Sequence, residues 1–535
     1  MNFPPRTDRL SRLRALETVD VLVIGGGING AGVLRDLAAN GVDTLLVDQA
    51  DFTAGATSAS SRMIHGGLRY LENGEFRLVR ESLQERNRLL RHAPHAVKPM
   101  PTTIPIFSRG SGFSNAIGKF FGSTSRPAKR GAWLIRIGLS LYEWFSGRDG
   151  VLPRHSFTSR AEALRERPQL HPDIVGTATY YDAWIPLPER LCLEVIDDAC
   201  AAHSGALAIN YVCAIGLGEA GVVILKDEVT GAQFSIKPRV VVNATGAWID
   251  LTNEALGAPS QFVGGTKGSH LIVDHAELFA ATRGQQIFYE NEDGRICIFF
   301  PVHGRVLVGS TDLRIDDPAH AVCDDAEINY LLDSVRTVFP SIVIGREHIV
   351  SHFCGVRPLP RSAAGFTGRI SRDHVCRTTP PDERHPWPMY SLVGGKWTTF
   401  RAFAEQVVDR VLTDLGRDRR SSTRELPIGG RSPESASEEI TALRTPLLSE
   451  AVVHLDDLLL RRTSLALYRR LSEETFDEIA SLAGETLGWN SARLAEEKER
   501  TRRLLAERHG VILAPALDET LTGGARTPLR VPANS

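Results

Sequence analysis

Apolar and polar positions near the start of the chain are arranged in a pattern that predicts a strand, a helix and a second strand. The apolar run 19–24 is typical of a buried strand, and a glycine-rich turn follows it. Alanines and leucines then recur at helical spacing to about residue 40, and Gly41 is placed to end the helix. A second apolar run, 42–47, ends in an acid. The pattern predicts a βαβ unit of the size that binds dinucleotides.

Three glycines and one acid give this unit the chemistry of a dinucleotide site. Gly25 permits a tight turn, Gly27 lets the backbone approach a pyrophosphate, and Gly30 lets the helix lie close to the strand. The helix amino terminus offers N–H groups and a positive dipole to the phosphates. Asp48 lies 23 positions after Gly25, where a carboxylate is expected to bind a ribose hydroxyl. The spacing indicates a dinucleotide and does not by itself distinguish NAD from FAD.

The rest of the chain predicts further elements around this unit. Helical periodicity predicts helices over about 75–92, 191–203, 325–339, 400–415 and 491–509. Strand patterns cover about 207–213, 220–226, 233–242, 269–273, 296–301 and 306–309. The polar, basic residues 1–18 contain two adjacent prolines, and we expect them to form a flexible leader.

Three later segments suit close contact with a flat polar ligand. Residues 51–70 are rich in small and hydroxylated side chains, which cannot build a core but let backbone approach a cofactor. The apolar strand 240–246 and the segment 393–399 each contain glycine turns. If these segments contact the same dinucleotide, it is held from four parts of the chain and stays bound through turnover.

Composition excludes several broad classes of protein. The 535 residues are 42% apolar and 24% charged with a net charge of −2, so nothing indicates nucleic-acid binding. This length predicts two or three domains. The seven cysteines are scattered without a CxxC pair, which argues for free thiols and against a structural zinc site. No apolar run reaches the roughly 18 residues that span a bilayer.

Nine short motifs stand in order between residues 19 and 415. They are 25–32 (GGGINGAG), 56–61 (ATSASS), 64–71 (IHGGLRYL), 133–138 (WLIRIG), 242–248 (VNATGAW), 267–270 (KGSH), 309–312 (GSTD), 355–359 (GVRPL) and 394–401 (GGKWTTFR). Together they resemble the FAD-dependent glycerol-3-phosphate dehydrogenases that pass electrons to quinone. The run 455–463 (LDDLLLRRT) resembles a motif in the C-terminal cap of the same family.

One segment departs from the family pattern. The family more often has two acids and then an arginine shortly after a tryptophan, whereas prolines stand in that place within 184–190. Arg190 is the candidate for the arginine position. The departure concerns substrate choice more than the cofactor.

The resemblance implies an α/β fold of several parts. A Rossmann-like FAD-binding domain of the DAO flavoprotein type is expected with an interleaved α+β substrate domain and a C-terminal helical domain. The leader would be 1–18 and the oxidoreductase region 19–416, with FAD-binding parts at about 19–96, 190–248 and 350–416 and substrate or cap parts at about 97–189 and 249–349. A linker is expected at 417–433 and the helical domain at 434–535.

The same motifs imply the catalytic groups. Oxidation of a secondary alcohol by flavin needs a base for the hydroxyl proton and positive charge beside the developing oxyanion. We expect His65 to be the base, because histidine titrates near neutral pH, and Arg357 to stabilise the oxyanion. His270 stays open as an alternative base. The substrate-binding candidates are Arg69, Tyr70, Lys396 and His270, of which the two cations suit a phosphate.

The resemblance also implies the residues that hold FAD without a covalent bond. They are Gly25, Gly27, Gly30, Asp48, Thr57, Ser58, Ser61, Gly246 and Thr398. No metal site is expected.

A basic stretch at the start of the first substrate or cap part indicates contact with a membrane. Residues 98–142 hold seven Lys or Arg and no Asp or Glu, with phenylalanines at near-helical spacing among them. A basic amphipathic segment near 111–136 is expected to lie in the headgroup layer of the cytoplasmic membrane. The resemblance implies the same cytoplasmic, peripheral location, with membrane quinone as acceptor. A helix with merely solvated cations is the alternative, and a homodimer also stays open.

Three functions remain to be separated. The first is oxidation of sn-glycerol 3-phosphate to dihydroxyacetone phosphate by hydride transfer to N5 of FAD. The second is an amine, amino-acid or glycerol-phosphate oxidase of the same architecture that uses oxygen. The third is a non-catalytic flavin-binding module. Three cations near the flavin favour a phosphate dianion over a cationic amine.

Overall fold

The strand, helix and strand expected at the start of the chain are present in the computed structural model. The structure describes residues 1, 3–67, 75–108, 132–146, 151–362, 367, 370–429 and 440–514. The helix ends at Asn40, and Gly41 follows with φ +69°, a left-handed conformation that favours glycine. The sequence therefore predicts both the unit and the end of its helix.

Eighteen strands are assigned within the described residues. They are β1 Thr18–Ile24, β2 Thr44–Asp48, β3 Met63–Ile64, β4 Lys98–Ile106, β5 Ser156–Ser159, β6 Gly176–Trp184, β7 Ala206–Asn210, β8 Val212–Leu217, β9 Val223–Asp227, β10 Gln233–Asn243, β11 Thr266–Val273, β12 Gln286–Glu290, β13 Ile296–Val302, β14 Arg305–Gly309, β15 Leu313–Arg314, β16 Ile349–Arg357, β17 Val375–Thr379 and β18 Met389–Val393. Each strand expected from the sequence has a counterpart among them.

The same described residues form fourteen α-helices. They are α1 Arg6–Ala15, α2 Ile28–Ala39, α3 Phe76–His92, α4 Ala132–Ser146, α5 Arg160–Glu166, α6 Pro188–Ala202, α7 Ile249–Ala255, α8 Ala276–Thr282, α9 Asp325–Val335, α10 Phe400–Leu415, α11 Arg444–Ser449, α12 Leu465–Tyr468, α13 Glu473–Leu487 and α14 Ser491–His509. Helix α6 begins three residues earlier than expected because Pro188 occupies its first turn, a position that tolerates proline. Helix α9 ends four residues earlier than expected.

The first sheet places three loops side by side. Its order is β17-β18-β10-β1-β2-β7, and β9 and β8 extend it from β10. Strand β1 is parallel to β10 and β2, so that Ile24 pairs with Asn243 and Val47. The carboxyl ends of parallel strands meet at one edge of a sheet, where ligands bind. The loops after β1, β2 and β10 are therefore neighbours, and α2 packs against both α6 and α10 nearby.

The second sheet supplies the opposite wall. Its order is β15-β11-β14-β13-β12-β4-β6-β3, with β16 on β11 and β5 on β6. The FAD-binding part expected from about residue 350 begins with a strand of this second sheet, because Ile349–Arg357 pairs antiparallel with Thr266–Val273. Arg357 therefore lies at a strand end, opposite Thr266.

The C-terminal helical region is confirmed within residues 440–514. It packs on the second sheet, since Leu459 and Phe476 share a buried core with Phe300 and Phe353. Helix α14 ends where expected, with Gly510 at φ +61°. A short π-helix, Asp457–Arg462, lies within the region.

The expectation of a flexible leader is wrong. Residues 6–15 form α1, in which Leu13 and Arg9 are buried. The Arg9 guanidinium donates to the Ala208 carbonyl over 3.1 Å, and Arg6 pairs with Asp227 at 2.5 Å. The leader's polar character hid this helix because two of its arginines bond to the first sheet instead of water.

The expected linker is also bound to the first domain where it is described, at 417–429. Arg417 pairs with Asp20 at 2.7 Å, and Arg419 pairs with the buried Asp36 at 2.9 Å. The Asn40 side chain accepts backbone N–H groups from residues 420 and 421. Arg417 therefore ties this stretch to β1, and Arg419 ties it to α2. Residues 430–433 lie outside the described residues.

Candidate functional site

A cavity of about 550 Å³ lies between the two sheets, at the carboxyl edge of the first. One end is lined by the loops after β1, β2 and β10, and the other by residues of β11, β16 and the segment after β18. The segment after β18 returns to the first loop, because the Asn29 amide donates to the Gly394 carbonyl over 3.1 Å. The cavity thus joins all four segments that the sequence assigned to one cofactor.

The glycines of the first loop are required by close backbone contacts. A Cβ on Gly30 would lie 1.9 Å from the Gly25 carbonyl oxygen. A Cβ on Gly25, where φ is +109°, would lie 2.6 Å from the Ala244 carbonyl oxygen. These distances are far below van der Waals contact. The strand, the helix and the loop after β10 can approach each other only because both positions lack a side chain.

Thr57 holds the second loop against the start of α2. Its hydroxyl accepts the Ile28 N–H over 3.0 Å, and its carbonyl accepts the Trp397 indole N–H over 3.0 Å. Ser58 bonds inward to the Gly55 carbonyl at 3.2 Å and, like Gly30, shapes the loop rather than forming the cavity surface. Gly246, at φ +62°, lies on the cavity wall, where a Cβ would meet no other segment of the chain within 4 Å.

Asp48 lines the cavity and also closes the glycine loop. Its carboxylate accepts the Gly26 N–H over 2.7 Å and the Ala50 N–H over 2.9 Å. Burial raises the pKa of Asp48 to about 7, although these two N–H groups favour the charged form. The sequence predicts that Asp48 binds a ribose hydroxyl. The structure shows that its carboxylate also bonds backbone N–H groups that hold the loop in place.

At the other end of the cavity an acid orients two arginines. Arg357 lies 3.1 Å from the Asp312 carboxylate and donates to Ser310 Oγ and the Thr311 carbonyl, each over 3.1 Å. Arg372 reaches the second Asp312 oxygen over 3.1 Å. The two guanidiniums hold the pKa of Asp312 below its usual range. These three contacts of Arg357 fix the orientation of its guanidinium group.

Arg372 was not found by the sequence analysis. It lies in none of the nine motifs, and its one signal is a cation placed between the segments 355–359 and 394–401. It joins Arg357 and Lys396 on the cavity wall. The cavity therefore has a cationic end built from three segments.

His65 lies in the same cationic end, directly after β3. Both its backbone groups meet the Thr398 hydroxyl, each over 3.2 Å. Burial lowers the pKa of His65 to about 3, with further lowering by Lys396, Arg372 and Arg86. Its imidazole is therefore neutral near pH 7 and able to accept a proton, and Thr398 orients its backbone.

His270 is a buried member of the wall. Its Nε2 lies 2.8 Å from Ser61 Oγ, and its ring stacks on Phe353 at 4.9 Å between centroids and 15° between planes. Burial, then Arg357 and Arg62, lowers the pKa of His270 to about 3. The structure thus brings together His65, His270, Arg357 and Lys396 of the expected substrate and catalytic residues. Arg69 and Tyr70 lie outside the described residues.

The cavity fits a dinucleotide that carries a reactive ring system. One end offers backbone at a helix amino terminus with side chains excluded, which suits a pyrophosphate. The other end gathers cations and two neutral imidazoles around an open space.

The comparisons with known proteins agree with this geometry. The family model described as FAD dependent oxidoreductase matches residues 20–409. The chain belongs to the FAD-dependent oxidoreductase family. FAD is its cofactor, and the lining of the cavity fits this group.

Individual members of the family share about a third of their aligned residues with this chain. The chain is 37% identical to a glycerol-3-phosphate dehydrogenase of Synechocystis, over 74% of this chain and 70% of that one. It is 33% identical to a D-erythritol 1-phosphate dehydrogenase of Brucella abortus, over 82% and 83%. A solved glycerol-3-phosphate dehydrogenase of Bacillus halodurans, complexed with FAD, has the same fold, with a TM-score of 0.71 at 21% identity over 94% of this chain and 98% of that one. The resemblance to the glycerol-3-phosphate dehydrogenases is confirmed.

Proposed function

We propose that the protein oxidises sn-glycerol 3-phosphate to dihydroxyacetone phosphate. The observation that carries this proposal is the convergence of Arg357, Arg372 and Lys396 beside the neutral His65 in one end of the cavity in which we place FAD. Cations at this density attract a phosphate dianion and repel an ammonium group. The amine and amino-acid oxidase alternative is therefore disfavoured. A non-catalytic module would not need a neutral base beside these cations.

Each group of the cationic end has a separate task in this proposal. Lys396, together with Arg69, holds the phosphate, and Tyr70 bonds the substrate. Arg357 lies near the reacting hydroxyl and stabilises the charge that develops on its oxygen. Bound FAD supplies the hydride acceptor, its N5 atom.

His65 takes the hydroxyl proton. Its pKa of about 3 in the substrate-free site is set by burial and by three cations. A bound phosphate dianion offsets those positive charges and raises the pKa of His65 toward the value that proton transfer near pH 7 needs. The substrate thus strengthens the base that acts on it.

Anaerobic mixing with glycerol 3-phosphate tests the reaction. The wild-type flavin is expected to bleach, and Arg357→Ala is expected to bind FAD but bleach far more slowly. Absence of bleaching in the wild-type protein contradicts the proposal. Glycine and a secondary amine serve as control substrates and should leave the flavin oxidised.

D-erythritol 1-phosphate is the second candidate substrate. One relative, which matches over four fifths of the chain, is named a D-erythritol 1-phosphate dehydrogenase. The unusual segment 184–190 does not line the cavity, and Arg190 pairs instead with Glu450 of the C-terminal region. It therefore gives no reason to expect altered substrate choice. We expect a higher kcat/KM for glycerol 3-phosphate, and the ratio of the two kcat/KM values decides between them.

For the second half of the reaction we propose that electrons pass to quinone at a membrane surface. Helix α4 supports this, because Trp133, Ile137, Leu141 and Trp144 form one exposed apolar face. Tryptophans at 63% and 74% exposure suit the lipid interface. The absence of acids between 98 and 142 suits anionic lipid in particular. Of the expected segment 111–136, residues 111–131 lie outside the described residues.

The described parts of the chain contain no helix with the length and apolar character to cross a bilayer.

Sedimentation with phosphatidylglycerol vesicles tests the surface. We expect salt-sensitive binding that falls in the double variant Trp133→Ala/Trp144→Ala and on deletion of 111–125. Val343→Ala, an apolar side chain that is 70% exposed elsewhere, is the control. Unchanged binding of the double variant contradicts this role of α4. A quinone-linked rate that falls while the dye-linked rate is kept supports the acceptor.

A further inference from the structure

The inner face of α4 carries a buried tyrosine that reaches the active-site loop. Tyr142 is 3% exposed, on the side of the helix opposite Trp144. Its hydroxyl donates to the Asp182 carboxylate over 2.6 Å, and Arg86 holds the same carboxylate at 2.9 Å. The position of the hydroxyl is therefore fixed by a buried ion pair.

The same hydroxyl accepts a backbone N–H of the loop that carries the base. The Gly66 N–H donates to Tyr142 Oη over 2.8 Å, whereas its distance to the Asp182 carboxylate is 3.4 Å. A Cβ on Gly66 would lie 2.6 Å from Tyr142 Oη and 2.3 Å from Leu83. The peptide that follows His65 is thus pressed against the tyrosine, and no side chain fits between them.

Contacts on two sides therefore fix the His65 backbone. Thr398 bonds the N–H and the carbonyl of His65 itself, and Tyr142 bonds the next N–H along the chain. Because the His65 peptide plane is rigid, these bonds set the direction in which its imidazole leaves the backbone. Small errors in the placement of a reacting group cost large factors in rate.

We propose that Tyr142 is a positioning residue for the reaction, which holds the His65–Gly66 peptide so that the His65 imidazole faces the substrate hydroxyl. The inference rests on the proposed role of His65 as the base. A phenylalanine would keep the ring and its edge-on contact with Tyr180, at 5.7 Å and 84°, but would leave the Gly66 N–H only the long contact to Asp182.

The test is the rate of flavin bleaching by glycerol 3-phosphate in Tyr142→Phe. We expect about a tenfold lower rate constant at saturating substrate, with the FAD content and the half-saturating substrate concentration unchanged. Tyr289→Phe is the matched control, because it also removes a buried hydroxyl with a 2.8 Å partner, Ser334, from a position outside the cavity. A Tyr142→Phe protein that bleaches at the wild-type rate overturns the proposal.

A double-mutant cycle with His65→Asn shows whether Tyr142 acts through His65. If it does, Tyr142→Phe has little further effect once His65 is replaced, so the two effects are not additive. An undiminished tenfold effect in the His65→Asn protein overturns the positioning role and leaves His65 as base intact. A His65→Asn protein with the wild-type bleaching rate overturns the base assignment first, and the positioning role with it.

Discussion

The two ends of the cavity between the sheets are built on opposite principles. At the glycine end, the loops after β1 and β10 meet through backbone, and a Cβ on Gly25 or Gly30 would collide with a carbonyl oxygen. At the cationic end, long side chains such as Arg357 and Lys396 extend from separate segments into the cavity wall. The glycine end lets backbone come close because side chains are absent, and the cationic end carries positive charge on long side chains.

The glycine end therefore depends on shape, and the cationic end depends on charge balance. At the glycine end a single added carbon changes the distance between two elements of the first sheet. At the cationic end the groups are already coupled, because Asp312 holds both Arg357 and Arg372. Burial, and then Lys396 and Arg372 among the cations, lower the pKa of His65. Substitutions at the glycine end should therefore reduce FAD binding, whereas substitutions at the cationic end should reduce the reaction rate.

The largest effect is expected from Gly30→Ala. Its Cβ would lie 1.9 Å from the Gly25 carbonyl oxygen, so α2 must move away from β1. We expect the purified protein to lose at least about nine tenths of its FAD, since overpacking costs about 1–3 kcal/mol or more. The ratio of flavin to protein absorbance measures this. Gly216→Ala, whose nearest atom would be 3.9 Å away, should keep its FAD.

The glycine end also depends on a distant part of the chain, and Asp51→Asn tests this. The buried Asp51 carboxylate lies three residues after Asp48 and bonds Arg461 and Arg462 of the C-terminal region, each at 2.6 Å. The two guanidiniums hold the pKa of Asp51 below its usual range. Removing its charge leaves two buried cations without this partner, a loss of about 3–5 kcal/mol.

We therefore expect Asp51→Asn to unfold at lower urea concentration and to release FAD more readily. Asp325→Asn, at an exposed ion pair, is the control and should change neither property by much. Equal stability of Asp51→Asn and the wild-type protein would show that the C-terminal region does not support this loop.

Arg357→Lys probes the cationic end with its charge kept. Lysine cannot reproduce the guanidinium fork that bonds Asp312, Ser310 and Thr311. Loss of a group that stabilises an oxyanion costs about 10²–10³ in rate, and we expect that decrease in kcat with FAD retained. Arg377→Lys, exposed on β17, is the control. Loss of FAD in Arg357→Lys would mean that the two ends do not fail independently.

The sequence predicts the glycine end of the cavity better than the cationic end. The βαβ unit, its glycines and Asp48 are adjacent in sequence, so spacing alone locates them. The contact of Arg372 with Asp312 and the bond from the Gly66 N–H to Tyr142 depend on segments far apart in the chain, and no local pattern contains that information. Helix α1 was missed because polar side chains that bond to the protein look the same in sequence as solvated ones.

The smallest effect concerns acid stability at the cationic end. Burial lowers the pKa of His270 to about 3, against an ordinary value of 6.5 in the unfolded chain. Between these values the unfolded state binds the extra proton, so His270 favours the folded state fully above pH 6.5 and progressively less as the pH falls toward 3. Between pH 7 and pH 5 this removes about 1–2 kcal/mol of stability.

His270→Gln should therefore lose less stability than the wild-type protein over the same pH range. Urea midpoints at pH 7 and pH 5 measure the loss for each protein, so that any direct cost of the substitution cancels. His320→Gln, at an exposed histidine, should follow the wild-type protein. An identical pH dependence in His270→Gln would mean that His270 already takes up its proton in the folded state, and the cationic end would then be less dry than its buried imidazole indicates.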